Sequence, residues 1–315
     1  MMSENLTSAA TPVLTGISAP AGDTRRGMAL VFGAALAWSF GGVIARSLET
    51  SDPWTIIGWR SLVAALFLIG FMLWRDGPRG TVRLFRNMGW PGISVGVCFV
   101  ASSVSFIIAL GYTSVANILL MQAGVPLIAA LLGVVFLRER VDAVTWGAIL
   151  MVIAGIAVMV SDSFGADVSP VGDSLALLIA FTFAGATVIT RRHSGVRMAP
   201  AVTLGCMIGT AIGFSLSGGL AVSVHDAALL MLFGAFNLGL GLALFVTGAR
   251  MVPSVIAALI STLEPVLGPI WVWIVHNEVP TARTLAGGAI VFAALMGHIL
   301  WQWRMSRRMA LPIPS

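Results

Sequence analysis

The stretches NILLMQAGVPLIAALLGVVFLRER (residues 117–140) and IAALISTLEPVLGPIWVWIVHNEV (residues 256–279) decide the fold. Each carries a proline followed thirteen residues later by a glutamate, Pro126 with Glu139 and Pro265 with Glu278, at a constant offset of 139 residues. A repeat of that period marks a duplicated chain. Each stretch is also apolar over the roughly 20 residues that a helix needs to cross a bilayer, and each ends in a short polar cap.

Composition points the same way. Of 315 residues 58% are apolar and only 10% charged, with mean hydropathy +0.97, whereas a soluble domain carries about 25% charge. Apolar runs are placed at 28–46, 55–74, 90–110, 114–137, 143–160, 172–190, 199–219, 227–249, 252–275 and 284–302, each long enough to span. The fold class expected is therefore all-α integral membrane, with ten transmembrane helices.

Every basic residue outside histidine is an arginine, and the loops sort them. If ten spans alternate, Arg25, Arg26, Arg75, Arg79, Arg83, Arg86, Arg138, Arg140, Arg191, Arg192, Arg197, Arg250, Arg304, Arg307 and Arg308 share one side. Arg46 and Arg283 flank the other, where Glu49, Asp52, Asp162, Asp167, Asp173, Asp226 and Glu278 gather, and Arg60 lies inside the second span. That bias puts both termini in the cytoplasm and makes the net charge of +5 a topology signal rather than a nucleic-acid footprint.

Five spans per copy is an odd number, so the second copy must enter the membrane from the opposite side. The halves then form two five-helix inverted repeats around a central cavity, the architecture of alternating access. The domains expected are a disordered cytoplasmic tail at 1–26, rich in Ser, Thr, Ala, Gly and Pro and without a secretory signal, a first repeat at 27–161 and a second at 170–303. The relation extends beyond the two prolines: AALAWSFGGVIAR matches LIAFTFAGATVITR, with Arg46 opposite Arg191.

Trp59-Arg60, ALGYTSVAN followed by Pro126 and Arg138-Glu139-Arg140, and LEPVLGP with Glu278 resemble the EamA-like ten-span carriers of the drug/metabolite transporter superfamily. The resemblance implies a multi-pass carrier of the bacterial inner membrane, not an enzyme. Within that family the length, Trp38-Ser39 and the aromatic-rich spans look most like exporters of aromatic amino acids, which also handle methionine and threonine. One departure is His276-Asn277 before Glu278, where an apolar residue and a glycine are usual; its place at the outer surface predicts no effect on the pathway.

Glu264 is the one carboxylate near the centre of a span, where an ionised group costs about 2.5–3.5 kcal/mol and must face protein or water. Ser261, Glu264, Gly268 and Trp271 recur at helical spacing and share a face suited to an amphipathic solute. Glu264 is either a proton relay or ammonium contact, or a protonated carboxyl acting as interhelical glue. Gln122, the repeat mate of Ser261, must find a partner or water at that depth. Asn237 either bridges to Glu264 or bonds locally. Trp38, with Phe99 and Ser103 on the third span, walls a pocket or simply packs.

Pro126 and Pro265 each remove a donor in mid-span and free the carbonyl about one turn earlier. Arg60 starts the second span close enough to Glu49 and Asp52 to pair with them, which makes it a structural or gating residue. Gly205, Gly209 and Gly213 form overlapping GxxxG steps that serve the bundle as readily as a dimer, and so leave the oligomeric state open.

Cys98 and Cys206 read as packing residues and no histidine pair has metal spacing, so neither metal nor cofactor is expected. Gly-x-Ser-x-Gly, HExxH and paired intramembrane carboxylates are absent, which argues against an intramembrane enzyme. The absence of lysine argues against doubly charged sugar phosphates. The partners expected are amino acids, membrane lipids and a coupling proton, with no nucleic acid. The competing function is broad export of drugs or toxic lipophilic cations, held by Glu264 and Trp271.

Overall fold

The computed structural model describes residues 21–137, 143–161, 169–193, 195–249, 251–252, 257 and 260–309. Its described secondary structure is entirely helical. The first half comprises α1 (Ala21–Ser39), α2 (Gly41–Arg46), α3 (Pro53–Asn87), α4 (Gly89–Ala109), α5 (Val115–Gln122), α6 (Val125–Leu137) and α7 (Ala143–Val160). The second comprises α8 (Pro170–Arg192), α9 (Ala199–Leu216), α10 (Val224–Met231) running through a π segment (Leu232–Leu240) into α11 (Gly241–Gly248), then α12 (Leu263–His276) and α13 (Ala282–Met309).

Among the described residues seven helices are long and apolar enough to cross a membrane, and eight if the bent pair α5–α6 counts as one. Ala143–Met159 and Leu263–His276 are apolar but shorter. Their outward faces are what lipid requires: Leu66, Leu150 and Ile153 are exposed, and Trp74 and Trp90 stand out at the arginine-rich end as interfacial anchors. This is a multi-pass membrane protein.

The two halves pack reciprocally. α3 and α7 lie on their own counterparts, α9 and α13, and α5, the first part of the bent pair, lies on α12, the counterpart of α6. Other large crossings come in matched pairs: α4 on α8 answers α1 on α11, α4 on α9 answers α3 on the π segment, and α5–α6 on α8 answers α12 on α1–α2. The self-paired helices run antiparallel, since Gly58 meets Gly213 while Ser61 meets Gly209, and Thr145 bonds His298 while Arg283 bonds the carbonyl of Ser161. A two-fold axis perpendicular to the helices produces that sense; an axis along them would make each self-pair parallel.

Small residues allow the close crossings, because without a hydrophobic drive between helices in lipid the backbones must approach for dispersion to hold them. A Cβ at Gly213 would lie 2.6 Å from Cα of Gly58 and 2.8 Å from the carbonyl oxygen of Trp54. Gly205 sits on Gly96 and Phe99, and Gly209 on Ser61. The GxxxG steps of α9 are thus spent inside the bundle.

Several spans are interrupted, and the interruptions correct the expected role of the prolines. Pro126 and Pro265 stand in the first turns of α6 and α12, where a backbone donor would be unpaired in any case. They begin helices rather than kink one; the 44° bend lies just before, at residues 123–124. α3 bends at Gly77, φ 69°, so residues 78–87 leave the span as an arginine-rich turn-off, and Asp76, just before the bend, pairs with Arg197 at 2.7 Å.

At the opposite end Asp52 caps α3, accepting from the amides of Trp54 and Thr55 and from the Thr55 hydroxyl, and reaches the amide of Gly218 before α10. Burial raises the Asp52 carboxyl, but these hydrogen bonds outweigh it and hold the group below the ordinary carboxylate value. Its stabilisation is therefore in place above that ordinary value and is lost as pH falls through the lowered one.

Gly213→Leu should destabilise the protein by about 3 kcal/mol or more, the upper end of overpacking costs, because the side chain meets backbone that cannot rotate away. Gly70→Ala, with nothing within 4 Å of the new Cβ, should be neutral or gain about 0.5–1 kcal/mol. Thermal unfolding of the purified variants checks both.

Candidate functional site

A cleft opens at the acidic end of the bundle. It consists of two adjoining cavities of ≈ 550 and ≈ 560 Å³ that share Arg46, Leu110, Gly111 and Tyr112. Arg46 ends α2, and its guanidinium donates from Nη1 to the carbonyl of Leu110 at 2.8 Å and from Nη2 to that of Thr113 at 3.1 Å. Its Nε lies 2.9 Å from Oε2 of Glu278.

The other carboxylate oxygen, Oε1, accepts from the amide of Val115 at 2.7 Å. The Glu278 charge thus sits on the first turn of α5, where the helix dipole favours an anion. The latch joins α2, α5 and the end of α12. His276 extends it by a bond to Ser47 at 3.1 Å, and Asn117 donates to the buried Asp173 at the head of α8.

The His276-Asn277 departure has a physical explanation here. Asn277 takes φ 55°, ψ 24° to end α12, a left-handed conformation open mainly to glycine and asparagine. The substitution therefore keeps the turn. The departure lies in the wall of the cleft, which His276 and Glu278 line. Glu139, its counterpart, and Arg138-Glu139-Arg140 lie outside the described residues.

A second group gathers around the interruption between α1 and α2. Asn237, 5% exposed, donates to the carbonyls of Ala37 at 2.8 Å and Trp38 at 3.1 Å, the last of α1. This corrects both expected roles for Asn237: it reaches neither Glu264 nor its own helix but caps a helix of the other half. Ser39 accepts from the Trp271 indole at 3.1 Å, and that ring stacks on Phe40 at 5.3 Å and 11°. The Trp38 indole lies on Gly241 and 5.3 Å from the Phe245 ring. Trp38, Asn237 and Trp271 are thus brought together, chiefly as packing around a break.

Glu264, in the first turn of α12, is half-buried and makes no hydrogen bond or ion pair among the described residues. It lies about 18 Å along the helix from His276 at 1.5 Å per residue. α12 runs parallel to α1, with Gly268 against Ser39 and Val272 against Gly42, which sets Glu264 level with residues 31–35. Ser261 bonds the carbonyl of Ala257 at 2.9 Å. Gln122, at the end of α5, buries an Nε2 that has no partner. Phe99 packs on Gly205 beside the cluster of Ala64, Leu68 and Cys206, and Ser103 is half-buried on the same helix.

Arg60 departs most from expectation. It is 6% exposed, and its guanidinium lies 4.4 Å from the centroid of Phe233 and 5.8 Å from that of Phe106. It does not pair with Glu49 or Asp52: Asp52 is committed to capping α3, and Glu49 stands exposed near His225. Sequence reasoning missed Arg46 as the centre of the cleft, although an arginine among the acidic loops was the available signal. Phe233 carried no signal at all, since it enters the site through the π segment.

With this geometry in place, comparison with known proteins adds the lineage. The model of the EamA-like transporter family matches the chain twice, at residues 25–161 and 170–300. A solved crystal structure of a protein superposes with TM-score 0.64 at 18% identity, covering 90% of this chain and 99% of the other, a likeness of fold. No curated protein matches the chain.

Glu278→Gln should weaken the latch by removing its negative charge and one of its two acceptor oxygens, leaving Arg46 with its two carbonyl partners and no opposite charge. A cysteine placed by Thr113→Cys should then react several-fold faster with a membrane-impermeant maleimide than in the Glu278 background. Equal rates would mean that the pair does not restrict access to the cleft wall.

Proposed function

The chain belongs to the EamA-like transporter family, and we propose from that premise that it is a secondary transporter exporting small amphipathic metabolites by alternating access. Aromatic and other apolar amino acids, with methionine and threonine, are the substrates proposed. In this reading ten spans form two inverted five-helix repeats around a central cavity in a bacterial inner membrane, with both termini in the cytoplasm.

The observation that carries the reading is the reciprocal packing of the halves. α3 and α7 cross their own counterparts antiparallel, and a latch of Arg46, Glu278 and the α5 terminus ties the halves together at one end. Two such halves can exchange conformations about the shared axis and so open one end while closing the other. Polar groups at depth without partners, Glu264 and Gln122, are what a solvated path through the bundle would contain.

Trp38, Phe99, Ser103, Gln122, Asn237, Ser261, Glu264 and Trp271 are proposed to border that path. Among them Glu264 and Gln122 are the contacts with free polar atoms. Export of lipophilic cations fits less well, because the Trp271 indole that would stack on such a cation is stacked on Phe40 and bonded to Ser39.

Purified protein in liposomes, screened by competition with all twenty amino acids, should move tryptophan, phenylalanine and methionine faster than empty vesicles. No excess for any amino acid would sink the reading. An imposed pH gradient should accelerate uptake by the wild type and leave Glu264→Gln unmoved; an equal response in both removes Glu264 as the proton relay.

A further inference from the structure

Arg60 is a buried cation without a carboxylate partner. Its Nε and Nη1 are both shielded from solvent and make no hydrogen bond. Charged groups at such depth are costly and are retained beside a partner or a path. The two phenylalanine rings recover part of that cost through their faces, but a ring cannot satisfy the planar fork of N–H donors. A carboxylate can, and does so with two parallel hydrogen bonds.

The neighbouring acids are occupied. Asp52 holds the α3 terminus, Asp226 accepts from the amides of Glu49 and Thr50, and Glu278 is bound to Arg46 and Val115. What remains open is the approach from the cleft. Pro53 and Ile56 line it, and with Arg60 they stand at helical spacing on one face of α3, so the guanidinium lies about one turn, ~5 Å, beneath the cleft wall. On α4 the cleft is lined by Ile107, next to Phe106. One turn further along that helix Ser102 buries a hydroxyl that also lacks a partner. A file of unsatisfied donors therefore continues inward from the cleft.

We propose that Arg60 is the anchor for the carboxylate of the transported solute, with Phe106 and Phe233 flanking the bound group and Ser102 offering a further donor. The substrate class is then apolar or aromatic carboxylates, amino acids included, and lipophilic cations are repelled. This rests on the chain being a carrier and narrows what it carries.

The test uses two probes on the whole protein in lipid nanodiscs: indole-3-propionate, which has a carboxylate and no ammonium, and tryptamine, the reverse. Thermal unfolding of the wild type should show half-saturation for indole-3-propionate at a concentration lower by about tenfold or more, the least that a charge-assisted hydrogen bond of about 1.5 kcal/mol would give. Arg60→Met should remove that preference and Arg60→Lys should keep part of it.

Equal stabilisation by the two probes, tighter tryptamine, no stabilisation by either, or a folded Arg60→Met protein that keeps the preference each overturns the proposal. If Arg60→Met does not fold, the wild-type comparison decides alone. Amino-acid uptake is scored separately. A protein that prefers the carboxylate through Arg60 yet moves no amino acid keeps the anchor and loses the carrier reading; one that moves amino acids without the preference loses the anchor alone.

Discussion

Lipid offers no hydrogen bond, so every backbone group freed by an interrupted helix must be met by the protein itself. This constraint organises the molecule. α1 stops at Ser39, and its last carbonyls are met by Asn237 from the other half. α5 starts at Val115, and its amide is met by Glu278, again from the other half. Even the α3 terminus, capped locally by Asp52, shares that carboxylate with Gly218 before α10. A break in one repeat is completed by a polar side chain of its counterpart, and so the interruptions are also where the repeats are tied together.

The charges follow the same logic. Asp52, Asp226 and Glu278 each sit on the amides of a helix start or loop, and Arg46 adds two carbonyls to its ion pair. These groups are fixed by several bonds at once. Arg60 and Glu264 are the contrast: a cation and an acid placed deep in the bundle whose charged atoms meet no opposite charge among the described residues. Where so much else is matched, these unmatched groups are the ones on which the proposed path rests.

Much of this was legible in the residues. The Pro126 and Pro265 periods gave the duplication, the arginine distribution separated the two ends, and Glu264 stood out as an acid in an apolar run. The antiparallel self-pairs have the sense that the odd number of spans per copy expected from the sequence would give. What escaped was partner choice across the halves, because helical spacing says which face a residue occupies and not what lies opposite. Asn237 was assigned to the wrong neighbours for that reason, and Arg60 was drawn towards acids near in sequence that serve backbone amides instead. The prolines misled because an apolar run conceals a helix start when no polar residue marks it.

The interleaving of the repeats bears on how the molecule can come apart. α3 is covered chiefly by α9, α4 by α8 and α9, and α7 by α13, so neither copy owns a private interior. The ancestral unit would have needed a second chain to shield these surfaces, and the present polypeptide is in effect an obligate pair joined end to end. Insertion of the first repeat during synthesis must therefore leave Gly58 and Gly96 without the second-half partners they pack on until those arrive, a vulnerable interval that ends only when the last segments thread home.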